Sequence, residues 1–526
     1  MSLIDRSSNF SFSSITPVIS PCGQNIAYIN GSKLVIRKTE TLSLVRVIKI
    51  KLKNKSPFIK VSQIQWEHEY NEVSNKIAVL IGNENIIKIY DILDESVDIT
   101  IIEDDVFGIQ NFEWLPPRED ETEESAYEGS KQIIVFTEAE ISANIYSLDY
   151  SRPILSIEKP KFNKILLKPN SNIFSIITLT NNQIYSINLI NKSSSIEFFN
   201  SVQLSSFLNL TESIQWSPDG QWILCNDASI GGINIQIFSL FNESLSQRKP
   251  IFKFIDDFDP LGAIETKWVD NSSILISDHY EQIHYLEFST GLEISYTIRH
   301  RSSVDNTIVW KQDLTLSKYQ KKQNYYKIPQ ISSLPLVSSG IFKFLIKDNY
   351  LFSVTKSMPS AVFVWSLSNK VTEPLDVIVT NSKVKDIQLS KNNHLLIVNE
   401  DSISIWNSTW SSPLSFPAII ENSGSLVKGA TLTELSEGNS SILIWFNDNF
   451  NVLKLKLDSS NDFDTISMDT EQFDTIRNGS PALIDDSTNV VKLARGVQQS
   501  EWGHNNTASI EVEDTFMNKR RKPLLK

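Results

Sequence analysis

Hydrophobic and polar residues alternate along most of the chain, in short runs separated by turn-forming residues. The clearest example is IQWSPDGQWILCND, which starts at Ile214 and is followed by GGINIQIFSL. Alternation around Trp216 and Trp222 predicts two half-buried strands. The Ser-Pro-Asp-Gly tetrapeptide between them predicts a tight turn, because proline presets φ and glycine accepts positive φ. A third strand then ends in an aromatic residue.

This unit recurs with two landmarks in register. The first is a large apolar residue at the end of the first strand, at steps of 43 to 53 residues apart from one step of 76: Ile19, Trp66, Trp114, Leu167, Trp216, Trp268, Phe344, Leu389 and Leu432. The second is an aromatic residue, or a replacement for one, in the third strand: Arg37, Tyr90, Tyr146, Tyr185, Phe238, Tyr285, Trp365, Trp406 and Leu455. Chance alternation would not keep two landmarks in phase.

The spacing is close to the ~40–45 residues of a four-stranded propeller blade. The sequence therefore predicts an all-β propeller of about nine four-stranded repeat units over residues 9–457. Two arrangements remain open: one large ring, or seven blades plus a partial second ring, with the break at the 76-residue step. The segment from Asn9 to Ser14 is expected to complete the last blade, since ring closure removes exposed edge strands.

Three segments interrupt or follow the repeats. An acidic insertion, residues 118–130, has six negative residues and one positive residue within the third repeat. An extension over 300–330 separates two repeats. Residues 459–526 lack a strong period, change from acidic to basic, and are expected to be mostly flexible.

Composition narrows the function classes. With 40% hydrophobic and 21% charged residues, the chain fits a soluble globular protein. Its net charge of −13 argues against non-specific wrapping of nucleic acid, and no direct nucleic-acid binding is expected. The two cysteines, Cys22 and Cys225, suit neither a disulfide framework nor a zinc site, which favours a reducing compartment, cytosol or nucleus. The N-terminus lacks a secretory signal pattern, and the apolar runs are too short to span a membrane, so no membrane partner is expected.

Chemistry-bearing motifs are not found. The six histidines have no metal-ligand spacing, and no nucleophile elbow or Walker A loop occurs. His279 and His284 flank a predicted turn and are interpreted as solvated. We therefore expect no catalytic activity, no cofactor and no metal.

Two groups of residues are singled out. Six tryptophans at repeat positions are predicted to form blade core rather than a stacking platform: Trp66, Trp114, Trp216, Trp268, Trp365 and Trp406. Charged residues in the insertion and the tail are candidate partner contacts: Glu119, Asp120, Glu121, Glu123, Glu124, Lys519, Arg520, Arg521 and Lys522. A solvated loop and a solvated tail are the competing interpretations.

Beyond the repeats, the chain resembles the WD-repeat-containing protein eight family of centrosomal and spindle-pole proteins. The most specific stretch is SMPSAVFVWSLSNKVTEPLDVIVTNSKVKDIQLSKNNHLLIVNEDSISIWNS, residues 357–408. KLVIRKTETLSLVRV and LNLTESIQWSPDGQWIL resemble the first and fifth repeats. DPLGAIETKW and GLEISYTIRHRSSVDNTIVWKQ resemble the sixth repeat and its distinctive extension, in which the histidine is His300. The Pro-Asp-Gly turn survives only at residues 218–220.

The resemblance implies a scaffold at the centrosome or spindle pole body that helps to anchor microtubule minus ends. The implied partners are a coiled-coil microtubule-anchoring protein and a minus-end-directed kinesin-14. The implied location is cytoplasmic and cytoskeletal, at the microtubule-organising centre, with the nucleus as a further site that a basic tail would permit. A translation-initiation-type propeller that binds ribosomal components is the alternative, and an enzyme that uses the central channel is a third hypothesis.

Overall fold

The computed structural model describes part of the chain between residues 2 and 456. The described residues are 2–13, 15–51, 59–67, 75–96, 98–102, 108–115, 131–148, 152–180, 184–192, 196–204, 207, 209–227, 232–239, 250, 252–256, 261–288, 291–300, 307–312, 325–328, 340–368, 373–410, 412–418, 426–434 and 439–456. The acidic insertion and the C-terminal tail from 459 lie outside them.

The described chain folds into nine small sheets, which are arranged in a ring and are here called blades 1 to 9 in chain order. All their strand pairs are antiparallel except one in blade 7. Blades 1 to 3 contain β3 (Val18–Ile19), β4 (Asn25–Asn30), β5 (Lys33–Lys38) and β6 (Leu44–Lys49); β7 (Val61–Trp66), β8 (Lys76–Ile81), β9 (Ile86–Asp91) and β10 (Asp98–Ile102); and β11 (Ile109–Trp114), β12 (Gln132–Thr137), β13 (Ser142–Ser147) and β14 (Pro153–Glu158).

Blades 4 to 6 repeat this four-stranded order. They contain β15 (Leu166–Leu167), β16 (Ile173–Leu179), β17 (Tyr185–Asn191) and β18 (Glu197–Leu204); β19 (Gln215–Trp216), β20 (Trp222–Asp227), β21 (Ile233–Ser239) and β22 (Phe252–Asp256); and β23 (Ala263–Trp268), β24 (Ser273–Asp278), β25 (Gln282–Phe288) and β26 (Leu292–Arg299).

Blades 7 and 9 depart from this order, whereas blade 8 keeps it. Blade 7 contains β27 (Ile308–Gln312), β28 (Tyr325–Ile328), β29 (Ile341–Lys347), β30 (Tyr350–Thr355), β31 (Ala361–Ser366) and β32 (Asp376–Val379); blade 8 contains β33 (Val384–Leu389), β34 (Leu395–Asn399), β35 (Ser402–Trp406) and β36 (Leu414–Pro417); blade 9 contains β37 (Gly429–Glu434), β38 (Asn439–Trp445) and β39 (Asn449–Lys456), joined by β1 (Ser2–Arg6) and β2 (Phe10–Ser11). In the described residues, the helical content is one 3-10 turn, Glu138–Glu140.

The first strand of each four-stranded unit lies at the centre of the ring. Neighbouring first strands contact one another, as β3 contacts β7 and β29 contacts β33. Because the four strands run antiparallel in order, the first-to-second and third-to-fourth connections lie on one face of the ring. The remaining connections lie on the opposite face. Loops of neighbouring blades are thus presented side by side.

Apolar clusters fill the seams between blades. Ala27 of blade 1 shares a cluster with Trp66 of blade 2, and Leu189 of blade 4 shares one with Trp216 of blade 5. Tyr28 of blade 1 lies in a cluster with residues of blade 9. One nine-bladed ring, rather than seven blades and a partial second ring, is therefore the arrangement, and the predicted all-β propeller is confirmed.

The N-terminus closes the ring. Phe10 and Ser11 of β2 pair with Phe450 and Asn449 of β39, as predicted for the segment from Asn9 to Ser14. Pairing also extends further towards the N-terminus than predicted, because β1 aligns antiparallel with β39 from Ser2 to Arg6. The last blade is thus completed by strands from the opposite end of the chain.

The 76-residue step is explained by an added strand pair. In blade 7 the order is β28-β27-β32-β31-β30-β29, so β27 and β28 extend the outer side of the sheet. Strand β27 runs parallel to β32, and β28 returns antiparallel to β27. Part of the 300–330 extension therefore belongs to a blade and does not mark a break between rings.

One landmark of the repeat needs correction, and one predicted turn is confirmed. Tyr185, taken as the third-strand landmark of blade 4, begins β17 and pairs with Leu179, whereas Ile190 pairs with Phe174 near the strand end. The sequence alignment chose Tyr185 because it is aromatic, but strand pairing shows that Ile190 occupies the landmark position of this blade. The tight turn at residues 217–220 is confirmed: Gly220 has a φ of +67° and donates its N–H to the Ser217 carbonyl at 2.8 Å.

Candidate functional site

The six singled-out tryptophans are buried. Their exposed fractions are 4% for Trp66, 1% for Trp114, 7% for Trp216, 8% for Trp268, 1% for Trp365 and 3% for Trp406. Four of them end first strands and donate the indole N–H to the main chain of the preceding blade: Trp66 to Val18, Trp114 to Gln65, Trp216 to Leu166 and Trp268 to Gln215. Their packing surfaces are used between blades and not for a ligand.

Polar side chains on the first strands, or just before them, bind the main chain of the next blade in the ring. Amide groups donate to main-chain carbonyls at 2.8–2.9 Å in three pairs: Gln63 to Phe112, Gln215 to Thr266 and Gln388 to Ala430. Lysines make equivalent bonds: Lys164 to Glu212, Lys267 to Phe344 and Lys385 to Val427. These side chains satisfy main-chain carbonyls of the next blade and fix one blade against the next.

The charged candidate residues, Glu119 to Glu124 and Lys519 to Lys522, lie outside the described residues. The two ends of the acidic insertion are described, however. Leu115 donates its N–H to the Gln132 carbonyl at 3.0 Å, and the Lys131 ammonium forms an ion pair with Glu67 of blade 2. The insertion therefore leaves and re-enters blade 3 between β11 and β12, on the face of the first-to-second turns.

His284 is not the solvated loop residue that the sequence suggested. It lies in β25 with only 14% of its side chain exposed, and its Nε2 is 3.1 Å from Asp278 Oδ2. Its Nδ1 is 3.0 Å from the Thr297 hydroxyl. Asp278 Oδ1 accepts the N–H groups of Tyr280 and Gln282 at 2.8 Å. Asp278 thus holds the turn between β24 and β25, and His284 braces that turn against β26.

His300 lies half-buried between blades 6 and 7. Its Nδ1 donates to the Glu281 carbonyl at 2.7 Å, and its Nε2 accepts from the Ser353 hydroxyl at 2.7 Å. Ser353 in turn accepts the indole N–H of Trp365 at 3.0 Å. Burial lowers the pKa of His300 to about 4, against the opposing effects of the Glu281 hydrogen bond and the Asp278 charge. The ring is therefore neutral and structural at neutral pH.

The described part of the chain contains no cluster of metal-ligating side chains, and its two cysteines are free thiols. No cluster of three histidine, cysteine, aspartate or glutamate residues could hold a metal ion there. Cys225 is buried and burial raises the pKa of its thiol, whereas Cys22 is half-buried beside the Ser20 hydroxyl at 3.2 Å. In the same residues, no helix is both long and apolar enough to cross a bilayer.

The feature that the sequence missed is the anchoring of the added strands of blade 7. Gln312 of β27 is 2% exposed and donates to Ser415 at 2.8 Å and to Ser402 at 3.3 Å, both in blade 8. Its side-chain oxygen accepts the Asn381 N–H at 3.0 Å. Tyr325 of β28 is also buried, with its hydroxyl 2.9 Å from Ser404. A lone glutamine in a lysine-rich segment gives no sequence signal for such a site.

Replacing this glutamine tests the anchor. We expect Gln312→Leu to lower the free energy of unfolding by about 1–3 kcal/mol, because it leaves the Asn381 N–H and two serine hydroxyls without their buried partner. Urea unfolding followed by tryptophan fluorescence measures this loss. The matched control is Lys311→Gln at the neighbouring, more exposed position, for which a change within about 0.5 kcal/mol is expected. Equal effects of the two substitutions would contradict the anchor.

Exposed apolar side chains concentrate on fourth strands. Leu44 and Val47 of blade 1 are 55% and 44% exposed, and Phe198 of blade 4 is 52% exposed. Ile255 and Ile294, on β22 and β26, are 48% and 40% exposed. Contact surface for partners is thus available on the rim of the ring as well as on its two faces.

Comparison with known proteins finds distant similarities. No protein-family model matches the chain. An uncharacterised WD repeat-containing protein of Schizosaccharomyces pombe is 22% identical over 388 residues, which cover 68% of this chain and 72% of that protein.

Solved propellers cover most of the chain at low identity. A eukaryotic initiation factor has a TM-score of 0.46 at 12% identity, over 77% of this chain and 92% of its own. Sqt1 from Chaetomium thermophilum has a TM-score of 0.44 at 10% identity, over 86% and 98%. The C-terminal WD40 domain of Sif2 has a TM-score of 0.40 at 11% identity, over 80% and 98%. From its nine blades, the chain is a β-propeller protein, and it is distantly similar to a WD repeat-containing protein.

Proposed function

We propose that this protein is a non-catalytic scaffold at the spindle pole body or centrosome, where it helps to anchor microtubule minus ends and to organise the mitotic spindle. The observation that carries the proposal is the resemblance of residues 357–408 to the WD-repeat-containing protein eight family. That stretch contains β31 to β35 and joins blades 7 and 8. WD-repeat propellers usually mediate protein–protein interactions, which is compatible with this role.

The ring suits such a role physically. Blade-to-blade hydrogen bonds and buried tryptophans hold the nine sheets, so loops on both faces can differ in sequence without changing the core. Several proteins can then bind one rigid platform. The proposed partners are a coiled-coil microtubule-anchoring protein and a minus-end-directed kinesin-14. Residues 119–124 and 519–522 are the proposed charged contacts, and no cofactor is required.

Localisation tests the proposal. We expect the full chain, tagged with a fluorescent protein at its chromosomal locus, to concentrate at spindle poles in mitosis. It should co-purify with a coiled-coil protein and a kinesin-14 from mitotic cells. Reversal of the tail charges, Lys519→Glu with Arg520→Glu, Arg521→Glu and Lys522→Glu, should reduce the polar signal if the tail contributes a contact. The matched control reverses a single exposed lysine on the rim, Lys253→Glu.

The alternative role gives a distinct result. A diffuse cytosolic signal, together with co-sedimentation of the tagged chain with small ribosomal subunits, would overturn the spindle-pole role and support a translation-initiation-type scaffold.

A further inference from the structure

Blade 7 presents an outer edge unlike those of the other blades. Its fourth strand, β32, is covered by β27, and Val377 and Ile378 of β32 are fully buried. The outermost strand is β28, and none of the described strands pairs with its other side. Among the described residues, the main-chain N–H and C=O groups along that side have no strand partner, which is the arrangement that lets a further strand pair there.

This edge is held rigidly. Gln312 and Tyr325, which face each other in the β27–β28 register, bond to serines of blade 8. Trp310 donates its indole N–H to Asp376 of β32 at 3.3 Å. The two strands are thus fixed to the ring from both sides, and a segment that docks on β28 meets a preformed template. Preorganisation lowers the entropy cost of binding.

The edge is also basic. Lys327 of β28 is exposed, with its ammonium group 5.0 Å from the centre of the Trp310 ring, and Lys311 lies on the neighbouring strand opposite Tyr326. The described residues of the two strands, 308–312 and 325–328, contain two lysines and no acidic residue, a net of +2, whereas the whole chain has a net charge of −13. The local charge therefore opposes that of the protein as a whole.

We propose that β28 is a docking edge for an acidic, extended segment of a partner protein, which adds to blade 7 as a seventh strand. Main-chain hydrogen bonds to β28 would supply the pairing, and Lys311 and Lys327 would select acidic side chains. Because β28 has only four residues, few main-chain bonds can form, and binding should weaken as salt is raised. This inference does not depend on the proposed spindle-pole function.

A defined peptide tests the edge. The probe is a fluorescein-labelled decapeptide in which pairs of glutamates alternate with pairs of valines, so that acidic side chains lie on both faces of the strand. It is titrated with the full chain and followed by fluorescence anisotropy. We expect the Lys311→Glu, Lys327→Glu double variant to bind at least about tenfold more weakly. Lys253→Glu, on the exposed outer strand β22 of blade 5, should bind as the unchanged protein does. A lysine–valine peptide should in turn prefer the double variant.

A second probe separates strand addition from simple charge attraction. The same acidic peptide, N-methylated at alternate main-chain nitrogens, keeps its charges but loses the donors on one side. We expect it to bind at least about tenfold more weakly than the unmodified peptide. Equal binding of both peptides would overturn strand addition. Binding that is unaffected by the double variant, or no binding of the acidic peptide, would overturn the docking edge.

Polyanions provide the last comparison. Single-stranded oligonucleotides or phosphatidylserine vesicles that bind more tightly than the peptide, with the same dependence on Lys311 and Lys327, would assign the edge to another class of partner and overturn the proposal. Localisation of the double variant at spindle poles is measured in a separate experiment. Failure of the docking edge can therefore be distinguished from failure of the proposed spindle-pole function.

Discussion

Replacement of Phe450 by alanine should destabilise the ring more than any other single change considered. Phe450 of β39 is fully buried where blade 9 meets blade 1. Its ring centre lies 5.3 Å from that of Phe10, 6.4 Å from Phe12 and 4.9 Å from Tyr28. We expect Phe450→Ala to lower the free energy of unfolding by about 3–5 kcal/mol, from lost burial and the cavity that remains. Urea unfolding monitored by tryptophan fluorescence measures it.

The location of this residue makes the effect specific. Phe450 contacts N-terminal aromatic residues on one side and β4 on the other, so its loss loosens the seam at which the two ends of the described chain meet. Limited proteolysis should cut the N-terminal strands of the variant sooner than those of the unchanged protein. Phe342→Ala, at a position 42% exposed on β29, is the control and should cost under about 0.5 kcal/mol. Similar losses for both variants would refute this role of Phe450.

The repeat architecture could be predicted because its signals are local. An apolar residue at or near the end of the first strand and, in most blades, an aromatic residue in the third strand follow from pleat alternation and from burial on both sides of a blade. Trp66 and Trp268 show how closely the positions correspond, since each ends a first strand and bonds to the blade before it. The N-terminal closing strand was predicted from a general requirement of closed sheets.

The added strands of blade 7 could not be predicted for the opposite reason. Strand β27 pairs in parallel with β32, which places Ile308 beside Asp376 across a long sequence separation. A parallel partner so distant leaves no periodic pattern. The buried role of His284 was missed in the same way, because its partners Asp278 and Thr297 lie on two other strands.

The number of rings also required the structure. The 76-residue step was compatible with a break in the ring as well as with an insertion. Packing between blades distinguishes the two arrangements. Phe344 of blade 7 shares a core cluster with Leu275 of blade 6, so the ring continues across that step. The partner contacts are proposals, because the charged residues 119–124 and 519–522 lie outside the described residues.

Acidification should destabilise the protein through His300, and a glutamine at this position should remove the effect. The pKa of His300 is lowered from 6.5 to about 4 in the folded state, first because the ring is buried. Between these values the unfolded chain binds a proton that the folded chain does not. Stability therefore falls as pH falls from about 7 towards 4 and levels off below. The contribution lost is about 3 kcal/mol.

The test compares the pH dependence of two proteins rather than their absolute stabilities. The free energies of unfolding of the unchanged protein and of His300→Gln are measured in urea between pH 7.5 and pH 4. The difference between them should shrink by about 3 kcal/mol as pH falls, because the other titrating groups affect both proteins alike. Phe363→Leu is the control: its ring lies 5.0 Å from His300, so it lowers stability but keeps the histidine and the pH slope. Parallel curves for the unchanged protein and His300→Gln would show that His300 takes up its proton equally in both states. The hydrogen-bonded row from Glu281 through His300 and Ser353 to Trp365 would then tolerate a charge, contrary to its burial between two blades.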